Sequence, residues 1–378
     1  MKDKQDRRQE GIGLSLSGGG VRAAAFHSGV LKYMAEKGML EEVIQISSVS
    51  GGSLFIGLVY GSNANKWPTS EQYLVTSIEH VRKLLTTTNL QYRAVANLIL
   101  WPSNWRFILS RANVIAKTLE SLWGIDATVD QIPPSPSWSI NGTTAETGKR
   151  FRFRNGRMGD YTLGYANIAS FPLSKALAVS AAFPGGVGPL AIKSKSFSWH
   201  EHEDFVSDDK SRLLAPKFKR IHLYDGGLYD NLGLEPLFDL GEQKFKDRKD
   251  VSISRLILSD GGAPLRNTSI PGQLNPFRFN RMMDIMSDQQ RALRVRSFVG
   301  FLKTNIECGA YIQLGSDAKK NITKYGKGRK NQAALLEMQW LNSEQINSAS
   351  AYPTNLKRMS LEDFELLSKH GYETAKWN

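Results

Sequence analysis

One cysteine, Cys308, occurs in 378 residues. No intrachain disulfide can form, which fits a reducing compartment. No apolar run approaches the ~20 residues a membrane span requires. The polar stretch Met1–Glu10 (MKDKQDRRQE) lacks the apolar centre of a secretory signal. The expectation is a cytoplasmic protein, peripheral on the membrane if it meets one. Acidic residues are also short: 36 Asp and Glu against 49 Lys and Arg leave a net charge of +13. That excess attracts anionic surfaces, whether phospholipid headgroups, nucleic acid or nucleotides. With no recognition motif behind it, DNA binding is not expected. Repeats, low-complexity tracts and linkers are absent. At 41% hydrophobic and 22% charged, the chain reads as one globular domain with a helical insertion.

What is present is a repeated pattern. Gly13–Leu16 reads as a buried strand, Gly18–Gly20 as a turn, and Val21–Lys37 as a helix stopped by Gly38. Val43–Val49 then leads through Ser50 into a helix from Ser53. Strand, glycine turn and helix, twice in succession, imply a parallel sheet covered by helices. Residues 66–130 read as helical and concentrate Leu98, Ile99, Leu100, Trp101, Trp105, Phe107, Ile108 and Trp123 with Arg93, Arg106 and Arg111. This is either a lipid-facing cap, since Trp with Arg suits a lipid–water interface, or a helical hairpin packed on the core. Further on, Arg150–Arg154 alternates charge and aromatic like an antiparallel edge pair. Phe171–Phe183 reads as a helix that Pro184-Gly185-Gly186 breaks. Ile221–Tyr224 is a strand ending on Asp225, and Leu256–Ser259 one ending on Asp260. Met282–Phe298 reads as a helix, Tyr311–Leu314 as a strand, and Ser360–Ala375 as a closing helix.

Ser50, in Ser48-Val49-Ser50-Gly51-Gly52, has the setting of a nucleophile elbow, in which a strand turns sharply into a helix. Such a turn usually carries glycine two residues before and after the serine. Gly52 obeys and Ser48 does not. Gly18, Gly19 and Gly20 present unshielded backbone N–H groups at a helix start, where an anion is favoured. No P-loop or dinucleotide pattern fits, so an oxyanion hole is the better reading. Arg22 is a candidate headgroup contact or a structural ion-pair partner. The six histidines (His27, His80, His200, His202, His222, His370) do not fall where a triad base would. His200 and His202 have metal-ligand chemistry but no partner cluster. A carboxylate can serve instead: Asp225 and Asp260 each follow an apolar strand and precede two glycines.

Ser17-Gly18-Gly19-Gly20-Val21-Arg22, Ser48-Val49-Ser50-Gly51-Gly52-Ser53 and Asp225-Gly226-Gly227-Leu228-Tyr229-Asp230-Asn231-Leu232-Gly233 resemble, in order, the three signature blocks of the patatin-like phospholipases. Asn141-Gly142-Thr143-Thr144 and Pro172–Pro184 fit as well, and the likeness covers residues 11–262. The resemblance implies a three-layer α/β/α fold with a mainly parallel central sheet and a helical cap at about 66–130, with residues 263–378 packed on the same domain. It implies Ser50 as nucleophile, Asp225 as base and the Gly18–Gly20 turn as oxyanion hole. The substrate would be phospholipid or another acyl-ester lipid, with no metal or organic cofactor. Ala23, where glycine is usual, and Ser48 depart from the pattern. The basic run Lys319, Lys320, Lys324, Lys327, Arg329 and Lys330 is either a contact for anionic membrane or a solvated loop. A nucleotide or partner that binds the basic region beyond residue 262 and activates the enzyme is the alternative expectation.

Overall fold

The computed structural model describes residues 9–100, 110–184, 187–202, 212–246, 251–265, 267–270, 272, 275, 277–326 and 332–378. Strand β1 (Gln9–Leu16) runs through the glycine turn into α1 (Gly20–Glu36), and β2 (Val43–Val49) runs through Ser50 into α2 (Gly51–Gly61). Every residue of β2 is buried, as a strand covered on both faces requires. Helices α3 (Ile78–Thr87), α4 (Leu90–Leu100) and α5 (Ala112–Trp123) form the expected insertion. After it come β3 (Ser137–Thr144), β4 (Arg150–Arg154), β5 (Arg157–Asp160) and β6 (Gly164–Asn167). Then follow α6 (Leu173–Ser180), β7 (Leu190–Lys193), β8 (Arg220–Asp225) and β9 (Val251–Asp260). The long α7 (Phe277–Thr304), β10 (Gly309–Gln313) and α8 (Leu361–Trp377) complete the frame.

Five strands in the order β10-β9-β1-β2-β3 are parallel, and the sheet continues antiparallel through β4, β5 and β6. One face packs Ile12, Leu14, Leu16 and Ile46 against Phe26 of α1, Phe55 of α2 and Phe364 of α8. The other packs Leu256 and Leu258 against Leu234, Phe238 and, from α7, Phe298. Helices on both faces of a mainly parallel sheet give the three-layer α/β/α architecture.

Residues past 262 are built into this frame. Helix α8 lies so close on α1 that a methyl group at Gly371 would overlap the Phe26 carbonyl oxygen, and one at Gly29 the Ser368 carbonyl. Ser28 Oγ donates to Ser368 Oγ across the same contact, at 3.1 Å.

Two readings need correction. β4 is not at an edge: it lies between β3 and β5, with Phe151 and Phe153 fully buried. The strands that extend the sheet past it are two to four residues long, too short for a period-2 signal. Helix α6 is also shorter than Phe171–Phe183. Its carboxyl end unwinds because the N–H groups of Ser50 and Asp225 take the carbonyls of Ser180 and Ala182, both at 3.1 Å. Trp123 faces the core, 5% exposed, with Nε1 donating to Thr88 Oγ1 at 2.8 Å. The other cap aromatics singled out from sequence (Trp101, Trp105, Phe107), with Pro102, Arg106 and Ile108, lie outside the described residues, as do Gly185 and Gly186.

Candidate active site

Register explains why two residues 175 positions apart come together. Along one edge of β3, β2 pairs up to Val49 opposite Asn141, and β8 arrives from the other direction, ending with Asp225 opposite Gly142. β4 occupies the other edge of β3 at the same rungs. β2 and β8 therefore run head-on and stop at neighbouring rungs, so Ser50 and Asp225 leave the sheet side by side. The Ser50 hydroxyl lies near enough to the Asp225 carboxyl to favour its ionised form, and both residues line one cavity.

Ser50 has φ 50° and ψ −119°, a conformation L-residues avoid, which costs on the order of 1–3 kcal/mol. The surroundings hold it there. Gly51 and Gly52 let α2 start directly against the glycine turn and the end of β1, since a methyl at Gly51 would overlap the Gly20 carbonyl. Beneath the elbow runs a chain of hydrogen bonds. Trp138 Nε1 lies 2.8 Å from Ser48 Oγ, Ser48 Oγ 2.8 Å from Ser53 Oγ, Ser53 Oγ 2.8 Å from Ser180 Oγ, and Ser180 Oγ 2.7 Å from the Asn141 carbonyl. An indole can only donate and a carbonyl can only accept, so each hydroxyl donates to the next, from Trp138 toward Asn141. Ser180 Oγ also accepts the Ser50 N–H at 3.0 Å. Ser48, the departure from the usual glycine, is a link in this support.

Asp225 is 4% exposed. Burial pushes its carboxyl up from 3.8 to about 7, against the opposing effects of the Gly227 N–H, 2.7 Å from Oδ1, and the Ser50 hydroxyl. Asp260 is differently placed. Its Oδ2 receives Arg291 Nε at 2.7 Å and the Tyr311 hydroxyl at 2.9 Å, and its Oδ1 the Gly262 N–H at 3.0 Å. A carboxylate saturated in this way is a structural anchor. The two Asp-Gly-Gly sequences, alike on paper, differ by the arginine that α7 brings to one of them.

The turn after β1 takes positive φ at Gly19 (145°) and Gly20 (62°). Gly18 donates its N–H to the Asn231 carbonyl at 2.9 Å, so of the three expected donors it is the one already engaged. Among the described residues the N–H groups of Gly19 and Gly20 have no backbone acceptor. Arg22 is 3% exposed and donates from Nε to the Gly261 carbonyl (3.2 Å) and from Nη1 to the Tyr352 carbonyl (2.7 Å). It clamps two backbone carbonyls and also lines the cavity beside Ser50. Ala23 replaces the usual glycine without strain because the chain facing it is Gly261.

No histidine lines the cavity at Ser50 among the described residues. His27, behind the glycine turn, is buried and held near pKa 4 by desolvation. Its Nε2 lies 3.0 Å from the Ser17 carbonyl, which can only accept, so Nε2 carries the proton and Nδ1 accepts from Ser259 Oγ at 2.7 Å. His200 pairs in the sheet with Tyr165 and Leu213, and His202 is exposed. Of the basic run, Lys319, Lys320 and Lys324 lie on the helix Ala318–Tyr325, and Lys320 pairs with Asp317 at 3.1 Å. Lys327, Arg329 and Lys330 lie outside the described residues.

Ser50, Asp225 and the glycine turn open on a cavity of about 1400 Å³, larger than the ~300–1,000 Å³ usual for small-molecule sites. Helices α4 and α5 give it an apolar wall of Val95, Leu98, Ile99, Val114 and Ile115. Helix α7 gives it a mixed wall, in which Arg281, Asp284, Ser287 and Asp288 alternate with Met283 and Met286.

Residues 14–238 match the family model for patatin-like phospholipase. The chain belongs to the patatin-like phospholipase family. That membership supports a lipid hydrolase. Among solved structures the fold is similar to human GIVD cytosolic phospholipase A2, with TM-score 0.51 and 12% identity over 99% of this chain and 62% of that one. It is equally similar to the same human protein in complex with methyl gamma-linolenyl fluorophosphonate, with TM-score 0.51 and 15% identity over 100% and 58%. The chain thus spans about three fifths of the length of those proteins. No curated protein matches it in sequence. No described helix is long and apolar enough to cross a membrane.

Sequence reasoning missed the residues that hold the site together: Trp138, Ser53, Ser180 and Asn141 under the elbow, Asn231 beside the turn, and Arg291 on Asp260. Ser53 and Asn231 sit inside the signature blocks, and Asn141 and Ser180 inside the two further stretches that fit the family, so those segments themselves were the available signal. Nothing in the sequence ties Arg291 to Asp260.

Proposed function

We propose that the protein hydrolyses ester-linked acyl chains of phospholipids or related lipids with a Ser50–Asp225 dyad. The observation that carries this reading is the Ser50 side chain, on a strained turn, sharing one cavity with a buried carboxyl whose pKa of about 7 suits a base at neutral pH. The Asp225 carboxylate takes the Ser50 proton as Oγ attacks the ester carbonyl carbon. The resulting oxyanion is met by the N–H groups of Gly19 and Gly20 at the amino end of α1. Collapse of the tetrahedral intermediate breaks the ester C–O bond, and the leaving alcohol takes the proton from Asp225. A water molecule, deprotonated by Asp225, then attacks the acyl-enzyme. The fatty acid leaves and Ser50 recovers its proton.

The acyl chain lies along the apolar wall of α4 and α5, and the headgroup toward the polar side of α7. The mouth suits a lipid surface: Val95 is 51% exposed, Ile99 64% and Met286 57%, all lining the cavity. The net charge of +13 adds attraction to anionic lipid. The structural neighbour, a phospholipase A2 solved with a linolenyl fluorophosphonate, supports an acyl-chain ligand.

The test is fatty-acid release from a panel of phospholipids and neutral acyl esters by wild type and Ser50→Ala. Release by wild type alone supports the reading. Equal release by a folded Ser50→Ala protein would refute it.

A further inference from the structure

We infer that residues 352–359, which lie beyond the stretch matched to the family model, form a strap that positions the oxyanion turn, with Asn355 as its key residue. The inference rests on the reading of Gly19 and Gly20 as the oxyanion donors.

A helix begins with N–H groups that have no partner within the helix. Here the turn is bracketed by two carbonyls from elsewhere: Asn231 accepts from Gly18 at 2.9 Å, and Asn355 accepts from Val21 at 3.0 Å. The pair left between them, Gly19 and Gly20, lines the cavity beside Ser50. The inner bracket comes from a signature block. The outer one comes from the strap, packed so tightly that a methyl at Gly20 would overlap the Asn355 carbonyl oxygen.

The strap is itself held at several points. Asn355 Oδ1 accepts the Lys357 N–H at 2.9 Å, closing a local turn that aims the Asn355 carbonyl. Arg22 Nη1 donates to the Tyr352 carbonyl at 2.7 Å. Leu356 accepts from Gln91 N of α4, and Met359 N donates to the Leu85 carbonyl of α3, both at 3.1 Å. The strap therefore joins the oxyanion turn to two helices of the cap. Its directional bonds leave the two free N–H groups little room to reorient.

Asn355→Ala removes the acceptor for Lys357 N–H and frees the strap, whereas Asn355→Asp keeps a side-chain oxygen there. Three measurements apply: amide exchange over residues 18–23, kcat and KM on a soluble acyl ester, and inhibition by an acyl trifluoromethyl ketone, whose serine adduct carries an oxyanion. In Asn355→Ala, exchange should quicken. kcat should fall about tenfold, less than the ~10²–10³ of deleting a whole donor, with KM within about twofold. Affinity for the ketone should weaken by the same factor as kcat. Asn355→Asp should restore all three. Unchanged exchange, or a kcat loss that Asn355→Asp does not rescue, would overturn the strap's role. Faster exchange with kcat and ketone affinity intact would keep the strap as a tether and sink the reading of Gly19 and Gly20 as oxyanion donors.

Discussion

Replacing Asp225 with asparagine should trade activity for stability, in a pH-dependent way. The carboxyl sits near 7 in the folded protein against an ordinary 3.8, because burial disfavours its charge. Between those values the folded chain keeps a proton that the unfolded chain releases. Stability therefore falls as pH rises from about 4 to about 7 and levels off above. At 1.36 kcal/mol per pH unit across that interval, holding the charged carboxylate costs about 4 kcal/mol at pH 8. Asparagine has the same shape, can still accept the Gly227 N–H, and carries no charge. Asp225→Asn should thus unfold several degrees above wild type at pH 8 and close to it at pH 4.5. The assay is thermal unfolding of both proteins at pH 4.5, 6 and 8, read as the difference between them, so that titrations elsewhere cancel. A difference that stays constant with pH, or a variant less stable at pH 8, would refute the reasoning. The same titration should appear in catalysis, with kcat/KM rising with pH to a plateau above about 7.

Asp260→Asn should damage the fold instead. It leaves the Arg291 guanidinium facing a neutral group in a buried pair, a loss of about 3–5 kcal/mol in denaturant unfolding, while activity per folded molecule drops far less than in Asp225→Asn. Ser48→Gly restores the usual elbow residue but cuts the hydroxyl chain and strands Trp138 Nε1 in the core. It should destabilise by about 1–3 kcal/mol, and an unchanged unfolding midpoint would show the chain carries no load. Gly371→Ala forces α8 off α1 and should cost at least about 1–3 kcal/mol, measured the same way.

The separate pieces of the candidate site were legible in the sequence because each is local. Ser50, Asp225 and the glycine turn each sit at the end of a short strand that carries buried apolar residues, with small neighbours after it. The meeting of Ser50 with Asp225 was not legible, since it depends on β2 and β8 sharing one edge of β3, and register leaves no local mark. Asp225 and Asp260 could not be separated by their own surroundings in sequence, because Arg291 and Tyr311 reach Asp260 from 31 and 51 residues downstream. Asn355 carried no signal: its contribution is a backbone carbonyl in a polar segment without periodicity. β4 was misplaced at an edge because its outer neighbours are too short to show alternation.

The central claim, that Ser50 is the nucleophile and Asp225 its base, is tested most directly by labelling with a long-chain fluorophosphonate and locating the adduct by mass spectrometry. The account predicts one adduct, on Ser50, forming at a rate that rises with pH around a midpoint of about 7. Asp225→Asn should slow it by about 10²–10⁴-fold. Labelling at another residue, or labelling of Ser50 at the wild-type rate in Asp225→Asn, would contradict it.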